Sequence, residues 1–377
     1  MRHKIRPRVI QLDASSACQL RCPSCPTTDG AIHPTVGTGL LGVENLRALL
    51  DANPDLQAIE LSNYGEIFLN PALPEILKLC QERNVATTAG NGVNLNSARP
   101  EALEAVVRYG MRMLSVSIDG ASQESYQKYR VRGQFDTVIT NIVRINAHKR
   151  RLGAKYPALR WQFVVFGHNE HEIEAARAMA AALGMAFSLK FSWDDDLSPV
   201  QDADALRRAM PGNTANRAEF EAKNGTPYAA SICNQLWDSP QINWDGKMLG
   251  CGRNFWGDFG GNVFTDGLLD TVNNEKMNHA RAMLLGKAPA RDDIPCTTCD
   301  LYKFMQRNGR YLQRASFANG QKLDHDEAEQ LARHWHASGD SEKARKMCRS
   351  ILVADPVHSG ALRLLFEIER PVRGEGA

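Results

Sequence analysis

The sequence predicts an α/β fold: an open, partial barrel of six βα units, then a small hairpin-and-helix region, then a helical tail. Three observations carry that prediction. Between Arg8 and Ser192, short apolar or β-branched runs alternate with longer amphipathic stretches, the pattern of repeated βα units around a parallel sheet. Six units are too few to close an eight-stranded barrel, so the sheet stays open and ligands are expected at the C-terminal ends of its strands. Seven of the nine cysteines fall into two groups, one directly behind the first strand and one beyond the sixth.

Taken in order, strands are predicted at Val9–Leu12, Ala58–Leu61, Val85–Ala89, Leu114–Ile118, Trp161–Phe166 and Phe187–Phe191. Helices fall between them at Val43–Ala52, Leu73–Arg83, Pro100–Tyr109, Phe135–Arg151 and Glu170–Leu183. The pattern loosens from Ser192 to Ser231. Two short strands then flank Asp245-Gly246, a hairpin turn signal, and a helix follows from about Asn274 to Leu285. Beyond Leu301 the chain reads as helical. The expected domains are a core over 1–200, a cysteine-bearing region over 201–320, a helical tail over 321–370 and a disordered end over 371–377.

With 377 residues the chain is long enough for two domains, or one large core with appendages. Its 43% apolar and 23% charged residues are those of an ordinary globular protein, and a formal net charge of +2 sets up no field to draw nucleic acid or an anionic membrane. The basic start, Met1-Arg2-His3-Lys4, has no apolar core behind it, so no signal peptide is read. No apolar run is long enough to span a bilayer, and a cytoplasmic location is expected. In that setting nine cysteines call for metal, redox chemistry or core packing before disulfides.

Cys18, Cys22 and Cys25 are spaced Cys-x3-Cys-x2-Cys. Spacers this short let three thiolates converge on one iron–sulfur cube, and three local ligands for four irons leave one iron open to a small molecule. A zinc knuckle asks for a fourth Cys or His at matching range, and His33, in a Gly/Pro/Thr stretch, is the one nearby candidate. The spacing resembles the signature of the radical S-adenosylmethionine (SAM) enzymes. The resemblance implies a [4Fe-4S] cluster whose open iron chelates the amino and carboxylate groups of SAM. It also implies reductive cleavage of SAM to methionine and a 5′-deoxyadenosyl radical.

Three further segments resemble the family's, each after a successive predicted strand. Ser62-Asn63-Tyr64-Gly65-Glu66 is similar to its Gly-Gly-Glu segment, with Tyr64 standing at the first Gly; Gly65 permits close backbone approach and Glu66 can pair with the ammonium of SAM. Asn91-Gly92 resembles the adenosine-side turn. Ser115-Val116-Ser117-Ile118-Asp119-Gly120 resembles the strand whose polar residues, here Ser117 and Asp119, contact ribose and carboxylate. Either Arg130 or Arg132 stands where relatives place an arginine near the SAM carboxylate, and a solvated helix end accounts for both equally. Each dipeptide alone is ordinary turn chemistry; their order along the chain carries the resemblance. Past the sixth strand, Trp193-Asp194-Asp195-Asp196 sits beside the expected barrel mouth. Lys190, as proton acceptor or substrate anchor, and Asp194, in a cluster able to bind amino groups, are the candidate catalytic residues on position, although such an acidic run is more often a solvated loop.

Cys233 and Cys251 bracket the predicted hairpin, which brings them together, and Cys296-Thr297-Thr298-Cys299 supplies a second pair. Four thiolates in two pairs can close an iron–sulfur cube or, equally, a zinc site. The region resembles the SPASM/twitch extension of the radical SAM family in Cys233, Gly246, Cys251, Gly261-Asn262-Val263-Phe264 and the final Cys-x2-Cys. A full SPASM domain has further cysteines soon afterwards, whereas here the next is Cys348. The resemblance therefore implies the shorter twitch form, with one fully ligated auxiliary [4Fe-4S] cluster. In the tail, Lys303, Arg307, Arg310 and Arg314 make one helix face basic, as solvated helices often are. Ala328, Leu331, Ala332, Gly339-Asp340, Ala344, Leu352 and Asp355-Pro356 resemble one tetratricopeptide-type unit, expected to dock on the preceding helix or on a partner.

Together these readings imply a radical SAM oxidoreductase acting on a small polar metabolite, such as an aminocyclitol or sugar in natural-product biosynthesis. The twitch arrangement resembles that of aminocyclitol dehydrogenases, which implies that the auxiliary cluster would accept an electron from the substrate radical; a flavodoxin or ferredoxin is the expected electron donor. Peptide modification is the alternative, with the tail as a docking module for a peptide or protein, although no leader-binding domain is read at the N-terminus. Epimerisation needs a free thiol near the barrel mouth, and Cys80 reads as core and Cys348 as tail packing.

Overall fold

Alternation decides what each strand does. Around β1 (Val9–Leu12), Ile10 and Leu12 are fully buried in the apolar core, whereas Gln11 and Asp13 point to the opposite face. The same division recurs in β2 (Ala58–Glu60), β3 (Ala86–Val93), β4 (Met113–Ser117), β5 (Ala158–Val165) and β6 (Ala186–Phe191). Ile59, Ala89, Leu114, Val116, Trp161, Phe163 and Leu189 join the core. Glu60, Thr88, Ser115, Ser117, Gln162 and Lys190 occupy the alternate positions, so the strands carry a polar inner face. The six strands pair in parallel, in spatial order β6-β5-β4-β3-β2-β1.

Six helices follow the strands: α1 (Val43–Ala52), α2 (Leu73–Glu82), α3 (Pro100–Arg108), α4 (Gln123–Tyr129), α5 (Phe135–Leu152) and α6 (Ile173–Ala182). Proline in the first turn of α2 and α3 costs no hydrogen bond there, and Gly153, at φ +60°, closes α5 in the left-handed conformation. Ser122 caps α4 by accepting from the Ser125 N–H. This short helix was not expected as a separate element, and it ends at Arg130. Two more helices, α7 (Ala203–Ala209) and α8 (Arg217–Asn224), lie in the stretch that reads as irregular.

The third strand departs from expectation. It does not stop at Ala89 but runs through Asn91-Gly92 to Val93, with its register against β4 broken between Ala89 and Val93. Gly92 lies at φ +130°, and a Cβ there would stand 2.3 Å from Ser117 Oγ, so only glycine lets the strand pass so near its neighbour.

After α9 (Gln235–Asp238), the expected hairpin forms from β7 (Gln241–Ile242) and β8 (Met248–Gly250), turning through Gly246 at φ +92°. β7 also pairs in parallel with β1, matching Gln11 with Gln241 and Leu12 with Ile242, so the hairpin extends the barrel sheet to eight strands. Helices α10 (Leu268–Val272), α11 (Glu275–Leu284) and α12 (Asp300–Asn308) complete this region.

The computed structural model describes residues 4–210, 212–312, 325–354 and 358–369. Residues through Leu312 make one unit and the rest a second. In the second, α13 (His325–Ala337), α14 (Ser341–Ala354) and α15 (Ser359–Glu369) bury Ala332, Ala344, Cys348 and Ala361 in a core of their own. Arg314, Asp355-Pro356 and the end at 371–377 lie outside the described residues. Among the described residues no helix is long and apolar enough to cross a membrane.

Candidate functional site

A cavity of about 720 Å³ opens where the barrel strands end. Cys18, Cys22 and Cys25 line it together with Gly65, Glu66, Asn91, Ser117, Arg130 and Lys190. Residues from the first, second, third, fourth and sixth βα units thus meet in one space. Trp193, Arg217 and Tyr228 line it as well, the Arg217 guanidinium lying 3.7 Å from the Trp193 ring centre and 5.0 Å from that of Tyr228.

The cysteine loop winds tightly. The Cys25 N–H donates to the Cys22 carbonyl at 3.3 Å, and the Thr28 N–H to the Cys25 carbonyl at 2.8 Å. Gly65 packs against the start of this loop so closely that a Cβ would fall 2.3 Å from the Ser15 carbonyl, and the Glu66 N–H donates to the Ala17 carbonyl at 2.8 Å. Two side chains point N–H groups at sulfur: Arg130 Nη1 at 3.7 Å from Cys22 Sγ, and Asn94 Nδ2 at 3.8 Å from Cys18 Sγ. Burial pushes the Cys18 thiol up to about 12 and raises that of Cys22, so both need a metal's charge to ionise them. Three thiols beside open space, two of them with N–H donors to sulfur, fit a four-iron cube bound through three of its irons.

The carboxylates divide by use. Glu66 faces the cavity, but its oxygens accept from the N–H groups of Phe68 at 3.2 Å and Asn94 at 2.5 Å; burial outweighs these bonds and lifts it to about 7. Asp119 is fully buried and does not line the cavity. Its Oδ2 accepts from Arg130 Nε at 2.6 Å and its Oδ1 from the Val164 N–H at 2.6 Å, so what it presents to the cavity is Arg130. Of the two candidate arginines, Arg130 is the one in the cavity; Arg132 is exposed. Asp194 lines a separate cavity of about 300 Å³, its carboxylate accepting from Ser24 Oγ and from the N–H groups of Asp196 and Leu197. The structure therefore brings Lys190 to the cysteine loop's cavity and leaves Asp194 outside it.

Lys190 is lowered to about 8, first by burial and then by the nearby Arg160 cation. Asn91 is held by Ser62, whose carbonyl accepts from its Nδ2 at 2.6 Å. Ser62 is fixed in turn by Glu60, which also takes bonds from Thr88 Oγ1 at 2.5 Å and the Gly90 N–H at 2.8 Å. Glu60, Asn94 and Gln162 were missed from sequence. Gln162 is buried in the cavity wall with its Oε1 unpartnered among the described residues. For Glu60 and Gln162 the available signal was a polar residue at alternate positions of an otherwise apolar strand; Asn94, just past the end of β3, offered none.

The second cysteine group also assembles. Cys233, Cys251, Cys296 and Cys299 line one cavity with Leu236, Trp256, Phe259, Leu284 and Leu301, and all nine cysteines of the chain are free. Burial raises all four thiols, Cys251 to about 11. The room between them is small, about 20 Å³, so what qualifies the site is its donor chemistry and not its volume. Among the described residues no three His, Cys, Asp or Glu gather as they would around a single ion; a cube takes one thiolate per iron and does not ask for that convergence.

A barrel open at one edge, with a cysteine triplet at its strand ends, defines a class, and residues 14–180 match the radical SAM superfamily. The chain carries a radical SAM domain. A curated relative, the AdoMet-dependent heme synthase of Methanosarcina barkeri (strain Fusaro / DSM 804), is 29% identical over 139 residues, 36% of this chain and 38% of its own length. The chain thus matches well under half of that relative. SuiB of Streptococcus suis, solved bound to S-adenosylmethionine, superposes over 79% of this chain and 72% of its own, with a TM-score of 0.56 and 16% identity. The same protein bound to its precursor peptide SuiA superposes over 79% and 70%, with a TM-score of 0.52 and 13% identity. At such identities the likeness shows the fold.

Proposed function

We propose that the chain is a radical SAM oxidoreductase that oxidises an alcohol carbon of a small polar substrate, such as an aminocyclitol or sugar. The observation that carries this reading is the single cavity where the Cys18/Cys22/Cys25 loop, the Gly65-Glu66 turn, Arg130 and Lys190 meet. When bound, [4Fe-4S] clusters at the two cysteine groups would supply the electron that cleaves SAM to methionine and a hydrogen-abstracting 5′-deoxyadenosyl radical, and the acceptor for the electron left on the substrate.

The chain's own residues bind, orient and move protons. Glu66 and Arg130 offer the SAM amino and carboxylate groups a carboxyl and a guanidinium, the latter kept rigid by Asp119. Asn91, Ser117 and Gln162 offer hydrogen bonds to ribose and base. Lys190, partly neutral near pH 8, is placed to take the hydroxyl proton as the carbon that lost hydrogen becomes a carbonyl. A flavodoxin or ferredoxin would serve as electron donor.

The test is anaerobic reconstitution followed by metal analysis and a SAM-cleavage assay. About eight irons per chain and release of 5′-deoxyadenosine are expected; about four irons with zinc would remove the second cluster from the reading, and absence of 5′-deoxyadenosine would remove the reading altogether. One observation favours peptide modification as a second reading. The reaction cavity shares Trp193, Arg217, Tyr228 and Ala229 with another of about 530 Å³, which offers a longer chain somewhere to extend. Product analysis with an aminocyclitol panel against short peptides separates the two. Within the unit that ends at Leu312, the cysteine outside the two groups is Cys80, which is buried and does not line the cavity, so no thiol donor for epimerisation is found among the described residues there.

A further inference from the structure

One residue touches both cysteine loops. The Tyr64 carbonyl accepts from Thr27 Oγ1, two residues past Cys25, at 2.5 Å. Its phenol donates to the carbonyl of Gly252, the residue after Cys251, at 2.9 Å, and Asn63 Nδ2 donates to the same oxygen at 3.0 Å. The Gly252 N–H donates to Oε1 of Gln235, two residues past Cys233, at 2.7 Å. The backbone of one residue beside Cys251, Gly252, is therefore held at its carbonyl by Asn63 and Tyr64 and at its N–H by Gln235, all three of which line the reaction cavity. The Tyr64 ring meets Phe255 edge-on at 6.2 Å, and the next residue, Trp256, lines the second cysteine group. A glycine at position 64 could accept the bond from Thr27 but could not make the bond to Gly252.

We propose that Tyr64 is a positioning residue that couples the two cysteine centres, so that SAM in the cavity is felt at Cys251. The inference rests on the reading that both centres hold iron–sulfur clusters. Burial, with the charge of an ionised Cys251 adding to it, holds the phenol well above its ordinary range, so it stays a donor throughout the working pH range.

The test compares wild type, Tyr64→Phe and Thr27→Val after anaerobic reconstitution, by iron content and by EPR of the reduced protein with and without SAM. Cys22→Ala supplies the spectrum of the second cluster alone. In wild type, with about eight irons per chain, SAM is expected to change the second cluster's signal as well as the first. Tyr64→Phe, which keeps the ring, should lose that response or fail to build the second cluster; Thr27→Val, which cuts the link at its other end, should weaken it. Circular dichroism checks that both variants fold. A second cluster that ignores SAM in wild type, or responds equally in both variants, overturns the coupling and leaves two clusters standing. About four irons in wild type overturns the two-cluster reading and the coupling with it.

Discussion

Cys18, Cys22 and Cys25 face about 720 Å³ of space edged by Lys190, Arg130 and Asn91, whereas Cys233, Cys251, Cys296 and Cys299 enclose about 20 Å³ among Leu236, Trp256, Phe259 and Leu301. Both groups raise their thiols by burial and both have a cation beside them, Arg130 at the first and Arg253 at the second. The first sets its cation and amides on the wall of a wide cavity, and the second does not. The contrast separates two ways of using sulfur donors. Three on a wide polar wall leave room for a reacting molecule; four in a dry pocket leave none, which suits a group that only exchanges electrons.

The largest effect is expected from Cys22→Ala: 5′-deoxyadenosine should fall below detection while about four irons remain, and continued SAM cleavage would show that the open wall is not the reaction site. Cys299→Ala should do the reverse, halving the iron and stopping product formation while SAM is still cleaved; unchanged turnover would remove the dry pocket from the chemistry.

Lys190 comes next. Lys190→Arg keeps a cation but cannot accept the proton, so product formation should drop by about 10²- to 10⁴-fold. In wild type the rate should climb with pH through about 8, where neutral Lys190 becomes abundant. The sign for stability runs the same way. The fold holds the Lys190 proton less tightly than the unfolded chain does, so the penalty is full below about 8 and fades as pH rises toward 10.5. A pH profile unaltered in Lys190→Met would assign the base elsewhere.

The smallest effect is structural. Asp119→Asn leaves Arg130, whose side chain is 15% exposed, without its counter-charge. Stability should fall by about 3 kcal/mol in denaturant titration, with weaker SAM binding alongside, and an unperturbed Kd would mean that Arg130 does not hold the ligand.

Much of the barrel was legible because its cues are local. The helix Val43–Ala52 and the strand Val9–Leu12 form with the predicted ends, and the two cysteine groups announce themselves by spacing. The Gly65-Glu66 turn was readable for the same reason. Asp194 misled because its position beside the barrel mouth is real, but its loop folds the carboxylate back onto Ser24. Gln162 hid because nothing in a strand says which of its faces will bound a cavity, and Asn94 because it stands one residue past the end of β3, beyond any strand alternation. The pairing of β7 with β1 was invisible for a plainer reason: two residues, Gln241 and Ile242, carry no periodicity, and their partner lies more than two hundred positions away.

That last pairing has a practical outcome for anyone wishing to trim the chain. The amides of Gln11 and Asp13 donate to the carbonyls of Pro240 and Ile242, at 3.0 and 3.2 Å. Cutting after β6 would not yield a smaller working barrel but would lay bare a raw margin of unsatisfied backbone, a template for sticking to other copies. The later cassette is stitched into the first strand, and any graft of one onto a foreign scaffold must carry the seam with it.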